Sequence, residues 1–263
     1  MMAQDQVRDP AADRPPSGES SRPLGGRVAI LTGAAGALGR AMWQSLGDAG
    51  ASVVPVDLHG DGCLIADVGT ADGNRRMVEA ALERHGRLDI LILNAGTQAM
   101  NPIADYAEDD WDRLMDLMVK GPFLAMKFAW PHLTRQPGGR IIVTSSTLGL
   151  EAAPYKAAYV AAKHAVIGLM KVAALEGAAS GLTANAVAPG WMYTPIVERQ
   201  IQDHMSLKGL SRDEVIASMV AEHPGRRFVE TGEVAGLVTF LATRAASAIN
   251  GTCIPVDTGG LAG

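Results

Sequence analysis

Apolar and polar positions alternate in blocks along the chain from about residue 27 onward. Short runs that are apolar nearly throughout are separated by stretches in which apolar residues follow a helical spacing. Unbroken apolar runs of this length are typical of strands that are covered on both faces. They predict seven strands, at residues 27–31, 52–56, 63–67, 88–93, 140–145, 182–187 and 252–256. The helical stretches include Ala71–His85, Asp109–Leu133 and Ala157–Ala178.

The alternation of strands and helices predicts an α/β fold, a doubly wound parallel sheet with helices on both faces. No internal repeat or linker divides the chain, so residues 26–263 are predicted to form a single domain. One connection is unusual, because only residues 58–62 separate the second and third predicted strands. A parallel crossover normally takes about a dozen residues or more. We therefore expect a bare loop there in place of a helix.

Composition and charge narrow the picture further. Residues 1–25 carry charged residues, four prolines and no aromatic residue, which predicts a disordered tail. The net charge is −5 and no basic cluster is present, so nucleic acid is not an expected partner. Cys63 and Cys253 fit neither a metal spacing nor a disulfide framework, which favours the cytoplasm. No apolar run reaches the roughly 18 residues that span a membrane, and we expect no membrane partner.

A glycine-rich turn, TGAAGALG at residues 32–39, follows the first strand and opens a helix. Glycines at positions 33, 36 and 39 let backbone N–H groups approach a phosphate, and the start of the helix adds partial positive charge. Asp57 ends the second strand, 24 residues after Gly33, where a carboxylate can accept hydrogen bonds from the ribose hydroxyls of a dinucleotide. The same carboxylate repels a 2′-phosphate, and neither Ala34 nor Ala35 supplies a basic group. The sequence therefore favours NAD over NADP.

Four motifs occur in order and together resemble the short-chain dehydrogenase/reductase family: TGAAGALG, LNAG at 93–96, YVAAK at 159–163 and NAVAPG at 185–190. The resemblance implies a single Rossmann-type domain with strand order 3-2-1-4-5-6-7. It implies that Asp67 and Val68 lie near the adenine, that Asn94 braces the sheet beside the cofactor, and that Thr194 binds the carboxamide of the nicotinamide. Further cofactor contacts that it implies are Ala37, Leu38, Ala95, Gly96, Lys163, Pro189, Gly190 and Met192.

Tyr159 and Lys163 are the candidate reaction centre, because residues four apart on a helix share a face. A free phenol has a pKa near 10. The nearby ammonium, together with the positive nicotinamide ring, is expected to favour the phenolate, so that Tyr159 exchanges a proton with an alcohol or ketone. Hydride moves to or from the nicotinamide. Ser146 lies 13 residues before Tyr159 and resembles the catalytic serine of the family, so we choose it over Ser145. Tyr155 has no lysine four residues on and is expected at the surface or in the pocket wall.

The chain differs from the family pattern at one position of the reaction centre. The family carries an asparagine in the helix before the fifth strand, which bends that helix and holds a water that passes protons to the lysine. Counting from Asn94 without gaps places Met118 there. A thioether is a poor hydrogen-bonding group. We expect either a relay through another group or a specialised or impaired enzyme, with Met118 serving as helix packing.

The substrate end resembles one subgroup of the family, the D-3-hydroxybutyrate dehydrogenases, over residues 156–169 and 190–204. The matching positions are Gln98, Lys156 and Gln200, which form a sensible clamp for a small carboxylate, and Trp191 closes one wall. Leu148 replaces a histidine of that subgroup, and Leu261 a tryptophan. The open alternatives are a longer acid, a cyclic or steroid-like secondary alcohol, or a nucleotide-binding protein without turnover.

Three further features complete the expectations. Residues 195–228 are polar and follow Thr194, which suits a lid over the substrate. The four histidines considered as ligands show no metal spacing, so no metal is expected and each is interpreted as structural or solvated: His132, His164, His204 and His223. Helix 157–178 is apolar around most of its circumference, which predicts a homo-oligomer, and the family resemblance implies a tetramer.

Overall fold

Seven parallel strands form one sheet in the computed structural model of the protein, which describes residues 22–221 and 223–262. The strand order is β3-β2-β1-β4-β5-β6-β7, which confirms the predicted fold. The strands are β1 (Val28–Thr32), β2 (Ser52–Asp57), β3 (Leu64–Ile65), β4 (Ile90–Leu93), β5 (Arg140–Thr144), β6 (Thr183–Pro189) and β7 (Cys253–Val256).

Helices cover both faces of the sheet, as the unbroken apolar strands predict. They are α1 (Ala37–Asp48), α2 (Ala71–His85), α3 (Glu108–Met115), α4 (Gly121–Leu133), α5 (Ala157–Gly177), α6 (Pro195–Lys208), α7 (Arg212–Ala221) and α8 (Thr231–Ala242). Along β1, Val28 and Ile30 join the core under α2, α4 and α5, whereas Ala29 and Leu31 join the core under α1 and α8. Successive side chains of a strand point to opposite faces, so an apolar residue is needed at every position.

The predicted helix 109–133 is interrupted in the structure, and this expectation of one continuous helix is wrong. A π-helical turn at Asp116–Lys120 separates α3 from α4. Such turns take one extra residue and commonly occur at functional sites. Gly121 follows the turn against the chain after β3, where a Cβ atom would lie 2.4 Å from the carbonyl oxygen of Val68.

The connection between β2 and β3 is a bare loop, as predicted, because residues 58–63 contain no helix. The third strand is shorter than the predicted run 63–67: only Leu64 and Ile65 pair with Val56 and Asp57. Residues 22–25 correct the expected tail. Leu24 is fully buried, and its N–H donates to the Ala49 carbonyl, so these four residues belong to the domain. The remainder of the expected tail, residues 1–21, lies outside the described residues.

Helices α6 and α7 carry a small apolar cluster of their own, formed by Val197, Ile201, Val215 and Met219. This cluster is separate from the two cores of the sheet. The segment expected to form the lid therefore has internal packing that can hold it together as a unit.

One helix, Ala157–Ser180, is long and apolar enough to cross a membrane by length and composition. In this protein its buried side chains, among them Val166, Met170 and Ala173, join the core of the sheet. Core helices of soluble proteins pass the same test, and the packing accounts for its composition.

Candidate active site

An open cleft of about 1450 Å³ runs along the carboxyl ends of the strands. Ligands of open α/β sheets bind at this edge. Every residue that the sequence analysis assigned to the cofactor, the reaction or the substrate lines this cleft. The phosphate loop lies at one end, and the start of α6 at the other. The structure thus brings together residues that are spread over more than 160 positions of the chain, from Gly33 to Gln200.

The phosphate loop is packed too tightly for side chains. Gly33 has a φ of +67°, and a Cβ atom on it would lie 2.8 Å from the Cα atom of Ala95. At Gly39 a Cβ atom would lie 2.0 Å from the Gly33 carbonyl oxygen. Helix α1 starts next to the loop, and Gly36 provides no side-chain cap, so its first N–H groups can bind an anion. This cradle fits the pyrophosphate of a dinucleotide.

Asp57 lies at the carboxyl end of β2 and is held by two backbone groups. Its Oδ2 accepts from Ala35 N at 2.9 Å, and its Oδ1 from Leu58 N at 2.7 Å. Arg40, which the sequence analysis missed, folds back from the first turn of α1 and donates from Nε to the Ala35 carbonyl at 2.9 Å. The adenosine end therefore carries a fixed carboxylate facing the cleft and one exposed guanidinium beside it.

Asn94 ties the ends of β1 and β4 together beside the phosphate loop. Its Nδ2 donates to the carbonyl oxygens of Thr32, at 3.2 Å, and Gly33, at 3.1 Å. This is the bracing position that the family resemblance implies for it. Thr194 caps helix α6, accepting from Val197 N at 3.4 Å, and lines the cleft at the opposite end.

The two serines that end β5 differ in their surroundings. Ser145 is buried and donates to the Lys163 carbonyl at 3.0 Å, which fastens helix α5 to the sheet. Ser146 accepts from Leu148 N at 3.2 Å and is hydrogen-bonded to Tyr159. The hydroxyl beside the phenol is therefore that of Ser146, and the geometry supports the choice made from the spacing.

Lys163 is buried next to Tyr159. Its Nζ donates to the Thr144 carbonyl at 2.7 Å and lies 5.5 Å from the centroid of the Tyr159 ring. Burial lowers the pKa of Lys163 to about 8. Burial also raises the pKa of Tyr159 above its usual range, and the hydrogen bond with Ser146 opposes this only in part. Both directions belong to the protein without a nicotinamide, whose positive ring is part of the expected lowering, so the lowered pKa of Tyr159 stays a prediction for the complex.

Met118 lies within the π-helical turn and is buried among Leu114, Ala158 and Ala162, where Tyr159 packs against the same cluster. A Cβ atom on Gly96 would lie 3.3 Å from Met118 Sδ and 3.7 Å from Lys163 Nζ. The thioether and the ammonium therefore border the same small space. The helix is irregular at this point although no amide side chain occupies the position.

The substrate end contains a buried polar cluster. Lys156 is only 3% exposed and Gln200 only 6%. Lys156 Nζ donates to Gln200 Oε1 at 3.0 Å and lies 4.5 Å from the centroid of the Trp191 ring. Within the described part of the chain, the buried Nε2 of Gln98 has no hydrogen-bond partner. A buried amide without a partner is costly, so this donor points to a ligand that fills the cleft.

The structure also places residues in the cleft that sequence reasoning did not assign to it. His204 lines the cleft one helical turn after Gln200, a spacing that could have revealed it. Glu151, Arg199 and His223 also line the cleft. His164 is exposed, as its place beside Lys163 predicted. Across residues 22–221 and 223–262, no group of three or more His, Cys, Asp or Glu side chains could hold a metal ion.

Comparison with known proteins gives consistent matches over most of the chain. Residues 33–260 match the family model adh_short_C2, enoyl-(acyl carrier protein) reductase. D-beta-hydroxybutyrate dehydrogenase of Rhizobium meliloti (strain 1021) is 34% identical over 252 residues, covering 89% of this chain and 98% of the relative. Levodione reductase has a TM-score of 0.83 at 29% identity, covering 90% of this chain and 98% of that structure. NAD+-bound xylitol dehydrogenase has a TM-score of 0.84 at 28% identity, covering 90% of this chain and 99% of that structure.

Proposed function

Because the chain belongs to the short-chain dehydrogenase/reductase family, whose oxidoreductases use a nicotinamide cofactor, we propose that it is an NAD-dependent dehydrogenase of a small 3-hydroxy acid. It interconverts the secondary alcohol of that acid with the corresponding ketone. The observation that carries this proposal is the buried Lys156–Gln200 pair in the same cleft as Tyr159. A relative from Rhizobium meliloti with the name D-beta-hydroxybutyrate dehydrogenase supports the same substrate class.

The proton chemistry belongs to Ser146, Tyr159 and Lys163. A nicotinamide cofactor held in this cleft would supply the hydride acceptor for oxidation and the hydride donor for reduction. Ser146 donates a hydrogen bond to the reacting oxygen and orients it. In oxidation, the hydroxyl proton of the substrate passes to the phenolate oxygen of Tyr159, and in reduction it returns. The ammonium of Lys163 stabilises the phenolate.

The acid group of the substrate would be held by the polar cluster at the other end of the cleft. Lys156 is only 3% exposed, and its amino group, which donates to Gln200, would also donate to a carboxylate of the substrate. The amide nitrogens of Gln98 and Gln200 add donors, and the Nε2 of Gln98 would gain the partner it lacks among the described residues. Trp191 and Leu148 form apolar walls that exclude water from this contact.

The preference for NAD rests on Asp57. Its carboxylate is fixed by Ala35 and Leu58 at the adenosine end, where it can accept hydrogen bonds from two ribose hydroxyls. A 2′-phosphate would meet this negative charge at close range. Arg40 lies nearby, but its guanidinium is engaged with the Ala35 carbonyl.

A second candidate function is oxidation of a cyclic secondary alcohol. Leu148 makes the wall beside Ser146 apolar, and levodione reductase is among the similar structures. The polar cluster of Lys156, Gln98 and Gln200 argues against it, because an ammonium and two amides in one part of the cleft suit a carboxylate better than a neutral ring.

The test is NADH formation by the wild-type protein with (R)-3-hydroxybutyrate and with cyclohexanol, together with three variants. Tyr159→Phe should abolish turnover of either substrate. Lys156→Gln should raise KM for the acid by about 30-fold or more, since a buried charged pair is lost, and should leave KM for NAD unchanged. Lys127→Gln, at an exposed position of α4, is the matched control.

Each outcome discriminates between the candidates. Turnover of cyclohexanol alone would favour the second candidate. Binding of NAD without turnover of any alcohol would make the chain a nucleotide-binding protein. Activity that survives in Tyr159→Phe would remove the proposed mechanism.

We also propose that the protein acts as a cytoplasmic homo-oligomer, a tetramer. Two apolar side chains on the outer face of α5 support assembly: Val172 is 51% exposed and Leu175 81% exposed in the single chain. Exposed apolar surface of this kind marks protein–protein contacts.

A further inference from the structure

His223, directly after the described end of α7, is buried between two glycines. It is only 4% exposed. A Cβ atom on Gly190 would lie 2.4 Å from His223 Cε1, and one on Gly260 would lie 3.0 Å from His223 Nδ1. The imidazole therefore occupies a slot that exists only because both neighbours lack side chains. The slot joins the segment after β6, the segment after α7 and the turn after β7.

The two ring nitrogens of His223 have different partners, and these fix the tautomer. Nδ1 contacts the carbonyl oxygen of Asp257, which can only accept, so Nδ1 carries the proton. Nε2 lies 3.3 Å from the backbone nitrogen of Trp191, which can only donate, so Nε2 is the acceptor. The arrangement requires a neutral imidazole with its proton on Nδ1.

The Asp257 side of this contact is itself held in place. One carboxylate oxygen accepts from Gly259 N at 3.0 Å, and the other from Leu261 N at 2.8 Å. These bonds shape the turn after β7 and fix the carbonyl to which His223 donates. Through its two ring nitrogens, the imidazole therefore connects the backbone of Trp191 to the turn after β7.

At the substrate end, His223 can fix the position of Trp191, because it accepts a hydrogen bond from the backbone N–H of that residue. Its carbonyl accepts from Val229 N at 2.8 Å, so its backbone is held on both sides. Its ring lies 4.5 Å from Lys156 Nζ, which in turn donates to Gln200. A shift of this backbone would move the aromatic surface against which the ammonium rests.

We infer that His223 is a positioning residue for substrate recognition: through the Trp191 N–H it fixes the indole that orients Lys156 in the carboxylate clamp. This inference rests on the proposed function. His223 touches none of the reacting groups itself. It acts on KM for the acid and leaves the proton transfer at Tyr159 unaffected.

Asparagine and glutamine form a matched pair of substitutions at this position. The amide of asparagine reaches about as far as Nδ1, so His223→Asn can keep the contact with Asp257 but loses the acceptor for Trp191. The amide of glutamine reaches about as far as Nε2, so His223→Gln can keep that acceptor. Both remove the ring; His223→Asn keeps only the Asp257 contact and His223→Gln only the Trp191 contact, so a rise in KM confined to His223→Asn assigns the effect to Trp191.

The experiment measures kinetics with (R)-3-hydroxybutyrate and NAD, and hydrogen exchange of the peptide that contains the Trp191 amide. For His223→Asn we expect exchange at Trp191 to accelerate about tenfold and KM for the acid to rise about tenfold, as expected for one lost hydrogen bond. The kcat and the KM for NAD should stay within about twofold of wild type. His223→Gln should restore both the exchange rate and KM.

A double-mutant cycle shows whether the effect passes through the indole. In a Trp191→Ala background, His223→Asn should add less than about twofold to KM. A full tenfold effect in that background would overturn the inference, as would equal losses of kcat and thermal stability in both His223 variants with KM unchanged. If the wild type did not oxidise the acid, the proposed function would fail; normal wild-type turnover with an unchanged KM in His223→Asn would overturn the inference alone.

Discussion

The protonation of one side chain, Tyr159, sets how the rates of alcohol oxidation and ketone reduction in the proposed reaction depend on pH. Burial raises the pKa of this phenol, so at neutral pH it is protonated and ready to give a proton to a ketone. Oxidation of an alcohol needs the phenolate, whose fraction grows as pH rises. Burial lowers the pKa of Lys163 to about 8, so above this pH the ammonium that stabilises the phenolate is lost.

We therefore predict that kcat/KM for alcohol oxidation rises from pH 6 to about pH 8, by at most about tenfold per unit, and then levels off. Ketone reduction should stay constant or fall over the same interval. Initial rates in both directions, with circular dichroism to verify folding at each pH, measure this. Faster oxidation at pH 6 than at pH 8 would contradict the assignment of Tyr159 as the base.

Asp57 gives a second prediction for a single residue. Asp57→Ala removes the negative charge that would face a 2′-phosphate, so the ratio of kcat/KM for NADP to that for NAD should rise about 100-fold, since like charges at close range cost several kcal/mol. Asp72→Ala is the matched control, because that carboxylate is 95% exposed on α2. An unchanged ratio in Asp57→Ala would show that the carboxylate does not select the cofactor.

The sequence predicts which of these residues meet, but not their electrostatic states. Spacing is enough to pair Tyr159 with Lys163, because helix periodicity is a local property, whereas the choice of Ser146 rests on the family resemblance. The raised pKa of Tyr159 depends on burial by segments far away in the chain, which no local pattern reports. His223 was interpreted from sequence as an ordinary structural or solvated histidine, because its glycine slot is assembled from three distant segments.

At the scale of elements, hydrophobic periodicity locates the strands and places α2 at its observed bounds. It fails where the backbone departs from regular geometry. The turn at Asp116–Lys120 keeps an apolar pattern that a continuous helix would also show, so the extra residue is invisible in sequence. The short strand β3 is similar: its predicted run is apolar, but only two residues pair before the chain turns toward α2.

The segment over the substrate end, helices α6 and α7, is predicted to work as a unit that its own core holds together. Ile201→Ala empties a fully buried position in that core, at a cost of about 2–5 kcal/mol. We expect faster hydrogen exchange in both helices and a higher KM for the substrate, with the affinity for NAD unchanged. Binding of NAD is measured by fluorescence titration.

Leu207→Ala is the control for this substitution, because Leu207 lies on the same helix but is 45% exposed. It should change stability by no more than about 0.5 kcal/mol. Equal effects of the two substitutions on KM, or protection of α7 that is unaffected by Ile201→Ala, would show that the two helices do not share a functional core.

At the scale of the whole molecule, the outer face of α5 is not covered by any of residues 22–221 and 223–262. Exposed positions 164, 168, 172 and 175 recur at spacings of three and four, so they lie on one side of the helix. The opposite side of α5 packs on β6 and carries Lys163 toward the cleft. One helix thus connects a candidate subunit interface with the reaction centre.

This arrangement leads to the last prediction, on assembly. Light scattering should give the mass of four chains for the wild type, and Leu175→Glu should produce smaller species, because burying an unpaired carboxylate in an interface is costly. Ile103→Glu is the control, since Ile103 is 84% exposed in a short helical turn that is not part of α5. Because α5 also carries Tyr159, dissociation should lower kcat. A monomeric wild type, or an unchanged mass in Leu175→Glu, would mean that the apolar face of α5 serves another purpose.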